Sequence, residues 1–574
     1  MRIVHIKLVI LLSFILLITG LGRIQLFKGQ HYKRQSRENR VRLIPIMAAR
    51  GNIYDREGKL LAKSRLSFNA AVIPREAGSN SSTLTKLSAI LEIPVAALRE
   101  KLKQNAINPF VPAVVAEDIP KKKAILIEEK ILRLKGIVIE TVPLREYVYE
   151  ESTAHLIGYI TKLTWQEYKK LRFYGYRIVD FIGRTGLEAA FDSYLKGEDG
   201  GYQIEVDNKG RWIKILGHKA PRKGKDLHLT IDIELQNYIY NLTKERKAAV
   251  CVMNPFSGEV LAMVSTPSFN PNVIVSPSPQ RSRKIKVIFN SKDSVMTNRN
   301  IQSAYPSGSV FKVVTALCAL ETKVVDVGQT INCPGYFKLG RSTFRCWYSK
   351  GHGEETIIDA LKNSCNVFFY KAGLGAGIDS LSSYARQFGF GRPTGIELGG
   401  EAAGLVPDKE WKLKKKGERW YDGETVIFAI GQGYFLATPI QILRMISVIA
   451  NGGNLVCPQI VKKIADLEAC SKKPRRLNFK KENLDIVRRG LKLVVSDSGT
   501  GRRAQVEGVR VAGKTATAQT SSGLTHACFT CFFPADKPEF ALVVFLEHGG
   551  AGGVEAAGVS RQIIEFIKRK YLSK

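Results

Sequence analysis

Proline is sparse in this chain, acidic residues are outnumbered, and the cysteines follow no framework. With 22 prolines in 574 residues, 44% apolar content and glycines that are spread rather than clustered, the composition excludes a disordered or low-complexity protein. The length instead asks for an N-terminal appendage and two or three globular units. Nine cysteines are an odd number at wide spacing, so at least one is unpaired within the chain and a disulfide scaffold is not encoded. Cys528-x-x-Cys531 lies in an apolar run whose odd separation sends the two sulfurs to opposite faces of a strand, which excludes a redox pair and leaves buried core thiols.

Acidic residues number 52 against 87 Lys and Arg, a formal charge of +35 that favours polyanionic neighbours: nucleic acid, anionic headgroups or acidic wall polymers. The basic runs Lys121 to Lys123 and Lys414 to Lys416 lack the interleaved aromatics of a nucleic-acid platform. They read as solvated faces, and no nucleic-acid partner is expected. Leu8 to Gly22 carries no charge and follows a tail with Arg2 and Lys7. Ile3 to Ile6 and Ile24 to Phe27 extend it to membrane-spanning length while Lys7 and Arg23 snorkel. With no small-x-small cleavage site after it, an uncleaved anchor is expected rather than a signal peptide.

Three segments are expected: an anchor over residues 1–29, a mixed region over 30–225, and a larger α/β domain over 226–574. In the second, RGNIYDREGKLLA (Arg50 to Ala62) reads as a hairpin. In the third, AAVCVMNPFSGEVLAMVS (Ala248 to Ser265) reads as two strands about a Pro-Phe-Ser-Gly turn, and FALVVFLEHGG (Phe540 to Gly550) as a late strand. Strands at both ends with helices between predict a sheet shared by the two ends of the domain.

Ser-x-x-Lys sets a hydroxyl and an amine one helical turn apart, which activates the hydroxyl as a nucleophile. Of two such pairs, Ser193/Lys196 reads as a surface helix end. Ser309/Lys312 follows Pro306 and Gly308 and opens an apolar helix, where backbone N–H groups favour a developing oxyanion. An N-cap serine beside a surface lysine would look the same. Ser364-Cys-Asn366 and GKTATAQT (Gly513 to Thr520) follow downstream. Ser-x-Asn alone carries nothing, since Ser67-Phe-Asn69 and Ser268-Phe-Asn270 match it too. The order Ser-x-x-Lys, Ser-x-Asn, Lys-Thr on a late strand is what is specific.

That order resembles the signature of penicillin-binding proteins and serine β-lactamases. RGNIYDREGKLLA, GRTGLE (Gly183 to Glu188), MNPFSGEVLAMVSTPSFNPN, NRNIQSAYPSGSVFK and GQGYFLATPIQ (Gly431 to Gln441) extend the resemblance to class B penicillin-binding proteins over nearly the whole chain. FRCWYSKGHG (Phe344 to Gly353), Trp411 to Tyr421 and EHGGAGG (Glu547 to Gly553) resemble the elongation-type penicillin-binding protein 2 group more than the division type.

The resemblance implies a mixed α/β chain: a transmembrane helix, an elongated α+β pedestal or dimerisation region, and a C-terminal transpeptidase domain with a mixed sheet and helices on both sides. It implies a D,D-transpeptidase that cross-links peptidoglycan stem peptides during wall elongation and shape maintenance, binds penicillin, and has a possible D,D-carboxypeptidase side activity. Ser309 would be the nucleophile and Lys312 its base. Ser364 and Lys514 would relay a proton to the leaving D-alanine, Asn366 would hold the substrate amide, and Thr515 and Thr517 its carboxylate. The backbone N–H groups of Ser309 and Thr517 would form the oxyanion hole. No cofactor is implied. The implied partners are stem peptides, β-lactams as inhibitors, a SEDS-family glycosyltransferase, other elongation proteins and the cytoplasmic membrane, with the catalytic domain on its outer side. A division-type transpeptidase and a catalytically impaired β-lactam-binding scaffold are the rival readings.

Two local features stand apart from that set. Cys333, Cys346 and His352 lie close together in sequence, which fits packed loop cysteines with a hydrogen-bonded histidine and also suits zinc, although no fourth ligand is evident. Ala516 stands where the resemblance expects the glycine of Lys-Thr-Gly, so either the strand moves outward or the site narrows.

Overall fold

The computed structural model describes residues 2–30, 32–33, 41–77, 81–106, 109–130, 134, 136–206, 212–278, 280–469, 472–519 and 523–572. Arg2–Gly22 is an α-helix that runs on through a π-turn, Arg23–Phe27. The apolar span Ile3–Phe27 is 25 residues long with mean hydropathy 2.4, and none of it is buried. At 1.5 Å per residue it reaches about 37 Å, more than the roughly 30 Å of a bilayer's hydrocarbon. The helix fits a single-pass membrane anchor.

The chain forms two compact units: residues 1–50, 64–144 and 196–224 make one, and 51–63, 145–195 and 225–574 the other. In the first, helices Ser81–Leu91, Val95–Asn105 and Lys121–Glu129 bury Leu84, Leu87, Leu98 and Ile127 on Ala70, Val72 and Val115 of the antiparallel strands that pair Ala70 with Ala116. A separate three-stranded sheet pairs Val41–Ile46 with Gly200–Val206, and that strand with Trp212–Lys219.

The second unit is built on a five-stranded sheet whose spatial order is Val260–Thr266, Ala248–Met253, Phe540–Leu546, Thr525–Phe533, Ala512–Gln519. The two ends of the domain do share it, as the strand pattern predicts. Every residue of Ala248–Met253 and Phe540–Leu546 is buried, which explains why these strands read as continuous apolar runs rather than alternations. One face carries Val250, Val252, Phe529, Cys531, Leu542 and Val544 against Leu235, Ile239, Ile563 and Ile564 of helices Ile233–Thr243 and Ala557–Ile567. Helix Pro439–Ala450 lies across Phe540–Leu546, Ala248–Met253 and Thr525–Phe533, so helices cover both sides. This sheet is antiparallel throughout. Strand directions mix in another sheet, where Ile53–Tyr54 runs parallel to Leu227–Leu229 and antiparallel to Leu60–Ala62.

Two motifs near the chain's start work inside this second unit. The Asp55 carboxylate accepts the backbone N–H groups of Glu57 (2.9 Å) and Lys59 (2.7 Å), closing the hairpin, and that of Ile233 (3.3 Å). Arg145 donates from Nε to Glu188 at 2.6 Å and from Nη1 to the Gly51 carbonyl at 2.7 Å, with both charged side chains essentially inaccessible to water. Removing one partner of such a pair strands a buried charge, which costs about 3–5 kcal/mol. Glu188→Ala is therefore expected to destabilise the folded chain by that amount in denaturant or thermal unfolding. Replacing both residues with apolar side chains of similar volume should recover most of the loss.

Candidate active site

Ser309 lies in a short 3-10 turn, Gly308–Phe311, that leads into helix Lys312–Glu321. The helix is apolar all round and nearly every residue is buried, so it runs through the core rather than along a surface. Two neighbours fix the turn. Gly308 donates its N–H to the Gly431 carbonyl at 2.9 Å, and a Cβ on Gly431 would stand 2.3 Å from the Gly308 oxygen, so GQGYFLATPIQ supplies the floor of the nucleophile turn. Edge strand Ala512–Gln519 packs against the same turn.

Lys312 and Lys514 are both fully buried. Lys312 Nζ donates to the Ser364 carbonyl (2.8 Å), Ser364 Oγ (3.2 Å) and Asn366 Oδ1 (2.6 Å). Lys514 Nζ donates to Ser364 Oγ at 2.9 Å and to the Thr515 carbonyl at 3.2 Å. One serine hydroxyl thus bridges two amines that come from opposite ends of the domain's sequence. Burial lowers Lys312 to about 8; burial and the charge of Lys312 hold Lys514 well below the usual lysine range. Ser364 has φ +53, a strained value for a residue with a side chain. Its turn is closed by Ser364 N–H to Leu361 O and Cys365 N–H to Ala360 O.

The structure therefore brings Lys312, Ser364, Asn366 and Lys514 into one hydrogen-bonded group beside the Ser309 turn. Thr515 points elsewhere: buried, it donates to Thr500 Oγ1 at 3.1 Å, and Thr500 in turn donates to the Lys362 carbonyl. Thr517 is exposed and accepts the Gly552 N–H at 3.0 Å. Ser193 lies apart in the short helix Asp192–Leu195, as its surface context suggests. Thr500 escaped the motif reading because it belongs to no short pattern of its own, and Gly552 reads only as part of EHGGAGG, with no contact to the Lys514 strand expected of it. The Ala516 methyl is buried and faces the nucleophile turn, 3.3 Å from where a Cβ on Gly308 would stand. The strand keeps an unbroken register, Lys514 opposite Thr530 and Ala516 opposite Cys528.

A metal-ligand set lies alongside. Cys333, Cys346, His352 and Cys365 place their donor atoms within 4.8 Å of one another. Cys365, the middle residue of Ser364-Cys-Asn366, is the fourth ligand that sequence spacing did not show. The His352 Nδ1 to sulfur distances are 3.6 Å for Cys333 and 3.5 Å for Cys346. A tetrahedral zinc with Zn–S of about 2.3 Å and Zn–N of about 2.0 Å requires an S···N edge of about 3.5 Å. The Cys365 thiol, His352 and backbone N–H groups hold the Cys346 thiol well below its usual range, and the Cys365 thiol is correspondingly raised. Burial works against the His352 imidazolium, yet the Cys346 and Cys333 sulfurs push its pKa up to about 9. The donors and spacing fit zinc.

A serine at a helix start, a desolvated amine one turn on and a second hydroxyl between two amines define a serine acyltransferase, on a sheet covered by helices. The chain belongs to the penicillin-binding proteins: residues 248–565 match the penicillin binding protein transpeptidase domain and 45–229 the penicillin-binding protein dimerisation domain. It is 33% identical to peptidoglycan D,D-transpeptidase MrdA of Haemophilus influenzae, over 98% of this chain and 91% of that protein. It is 31% identical to the Escherichia coli MrdA, over 97% and 92%. Among solved structures, PBP2 in a complex with MreC from Helicobacter pylori superposes with a TM-score of 0.82 at 29% identity, covering 93% of this chain and 99% of that one.

The neutral Lys312 amine is the form that accepts a proton, and burial brings its pKa down to about 8. Below that pH the neutral fraction falls tenfold per unit. The rate of acylation by a β-lactam should therefore climb between pH 6 and 8 and level off above. Stopped-flow acylation across pH 5.5–9 checks this, and a flat profile would contradict it.

Proposed function

We propose that this chain is an elongation-type peptidoglycan D,D-transpeptidase, anchored in the cytoplasmic membrane by its N-terminal helix with the catalytic unit on the outer side. The observation that carries the mechanism is the Ser364 hydroxyl shared by the buried amines of Lys312 and Lys514. Ser309 attacks the carbonyl of the penultimate D-alanine, and Lys312 takes the hydroxyl proton. The oxyanion is held by the backbone N–H groups of Ser309 and Thr517. Ser364, charged from Lys514, passes a proton to the departing D-alanine amine. Asn366 orients the stem-peptide amide and the exposed Thr517 hydroxyl lines the carboxylate end, while Thr515, expected there too, is turned to Thr500 and holds the strand in place. An amine from a second stem peptide then attacks the acyl-enzyme and releases Ser309; water in its place gives a carboxypeptidase side reaction.

Residues 1–29 form the anchor, 30–225 the pedestal and 226–574 the transpeptidase domain, the pedestal stretch lending Gly51–Lys63 and Arg145–Leu195 to the catalytic unit. The resemblance to PBP2 bound to MreC, and to a structure titled as a peptidoglycan synthase complex coordinating polymerization and crosslinking (TM-score 0.76, 30% identity), supports elongation proteins and a SEDS-family polymerase as partners. Intact Lys312, Ser364, Asn366 and Lys514 weigh against an inert scaffold.

Cys333, Cys346, His352 and Cys365 form a closed structural zinc site that braces the Ser364 turn. Elemental analysis of the purified chain should return one zinc per molecule; a value near zero after purification without chelators would remove this reading.

Fluorescent penicillin should label Ser309 alone, as read by peptide mapping. Ser309→Ala should abolish labelling, and Lys312→Ala should slow it by about 10²–10⁴, the usual share of a general base. An adduct on Ser193, or full labelling of Ser309→Ala, would sink the mechanism.

A further inference from the structure

The thiols beside the active site do more than fill a metal's coordination shell. Cys365 stands between Ser364 and Asn366, and its sulfur caps helix Asn366–Gln387 by accepting the Phe368 N–H at 3.4 Å. Cys346 accepts the Asn366 N–H at 3.3 Å. Both sulfurs therefore already hold the backbone of the turn that presents the Ser364 hydroxyl and the Asn366 amide. The two sulfurs also lie within 4.8 Å of each other. Cys333, the third thiol of the cluster, meets His352 at 3.6 Å rather than the Ser364 turn; of the other described cysteines, Cys251, Cys318, Cys528 and Cys531 are buried in sheet or helix, and Cys457 donates to the carbonyls of Thr394 and Gly395.

We infer that Cys346 and Cys365 form a reversible disulfide when the site holds no zinc, and that this bond switches off acylation by displacing Ser364 and Asn366. The inference rests on the acyl-enzyme reading above and adds regulation to it. Around a tetrahedral zinc two sulfurs stand about 3.8 Å apart, whereas a disulfide draws them to about 2.05 Å. About 1.7 Å must be taken up within a few atoms of Ser364, whose φ of +53 leaves it little room to adapt. A misplacement of about 1 Å in a preorganised site costs on the order of 100-fold in rate.

The chemistry is thiol–disulfide exchange with a small-molecule or protein disulfide as oxidant. One cysteine thiolate attacks a sulfur of the oxidant and expels a thiolate, which is protonated. The second cysteine, losing its proton, attacks the mixed disulfide and expels the other half as a thiol. Two cysteine thiols are oxidised by two electrons and the oxidant disulfide is reduced to two thiols. Zinc protects by engaging the sulfur lone pairs. A ligand set with three thiols is open to this chemistry in a way that an imidazole and carboxylate set is not, and the space outside the cytoplasmic membrane is where such bonds persist.

The test uses the full chain in detergent in three states: zinc-loaded, zinc-stripped under reductant, and zinc-stripped then treated with oxidised glutathione. Acylation by fluorescent penicillin and non-reducing peptide mapping are read on each. The oxidised sample is expected to carry the Cys346–Cys365 bond, to acylate at least about 100-fold more slowly than the stripped, reduced one, and to recover on adding dithiothreitol; the zinc-loaded chain should resist glutathione. The Cys457→Ser/Cys470→Ser double variant, which leaves the four donors in place, should behave identically. An oxidised chain that bears the bond yet acylates at the reduced rate overturns the inference, as does a disulfide mapped elsewhere, a loss that reductant does not reverse, or a loss that vanishes in the double variant. Failure of all three samples to acylate overturns the transpeptidase reading and this inference together, which separates the two cases.

Discussion

The site depends on keeping two lysine amines dry within reach of one hydroxyl. In water each amine would be charged, and two ammonium groups sharing Ser364 Oγ would repel. Burial of Lys312 and Lys514 removes that stabilising water, and each amine's pKa drops toward the range where it can exchange protons. The surrounding fold supplies what such burial requires. Lys312 opens a helix that is apolar on every side. Lys514 sits on an edge strand roofed by the nucleophile turn. Carbonyls of Ser364 and Thr515 and the Asn366 amide oxygen absorb the N–H groups that water would otherwise have taken. An unpaired buried amine would cost several kcal/mol; here every interaction that keeps the amines dry also aims them.

Much of this was legible in the sequence because it is local. The anchor is a continuous apolar run, the hairpins carry their turn residues, and Ser309 and Lys312 are three residues apart, so one turn of helix sets their relation. The grouping of Ser364 with Lys514 was legible only through family resemblance, since 150 residues separate them. What stayed hidden was what only the folded chain creates. Cys365 passed as the unspecified middle of Ser-x-Asn, although it completes a ligand set with residues 13 to 32 positions upstream. Thr500 and Gly552 reach the Lys514 strand from other segments. The stretches 51–63 and 145–195 read as part of a separate N-terminal region, yet they pack with the catalytic unit, because Asp55 accepts the Ile233 N–H and the Tyr147 backbone pairs with the Asn272 side chain. Hydrogen bonds across such distances leave no periodic trace in composition or spacing.

Ala516 shows how a departure from a motif can be absorbed without loss of the site. A residue on an edge strand can place an extra methyl in the open cleft or against whatever packs on the strand's other side. Here the methyl turns toward Gly308, which has no side chain and adopts φ +54. The two positions share one volume: a Cβ on Gly308 would lie 3.3 Å from the Ala516 methyl, tighter than packed carbons prefer, and in contact with that of Ala518 at 3.5 Å. Gly431, on the turn's far side, is equally constrained, since any side chain there would strike the Gly308 carbonyl. The nucleophile turn is thus clamped between a glycine below and two alanines beside it. The strand keeps unbroken pairing, Lys514 with Thr530 and Ala516 with Cys528, and the added methyl is spent on packing the turn that carries Ser309.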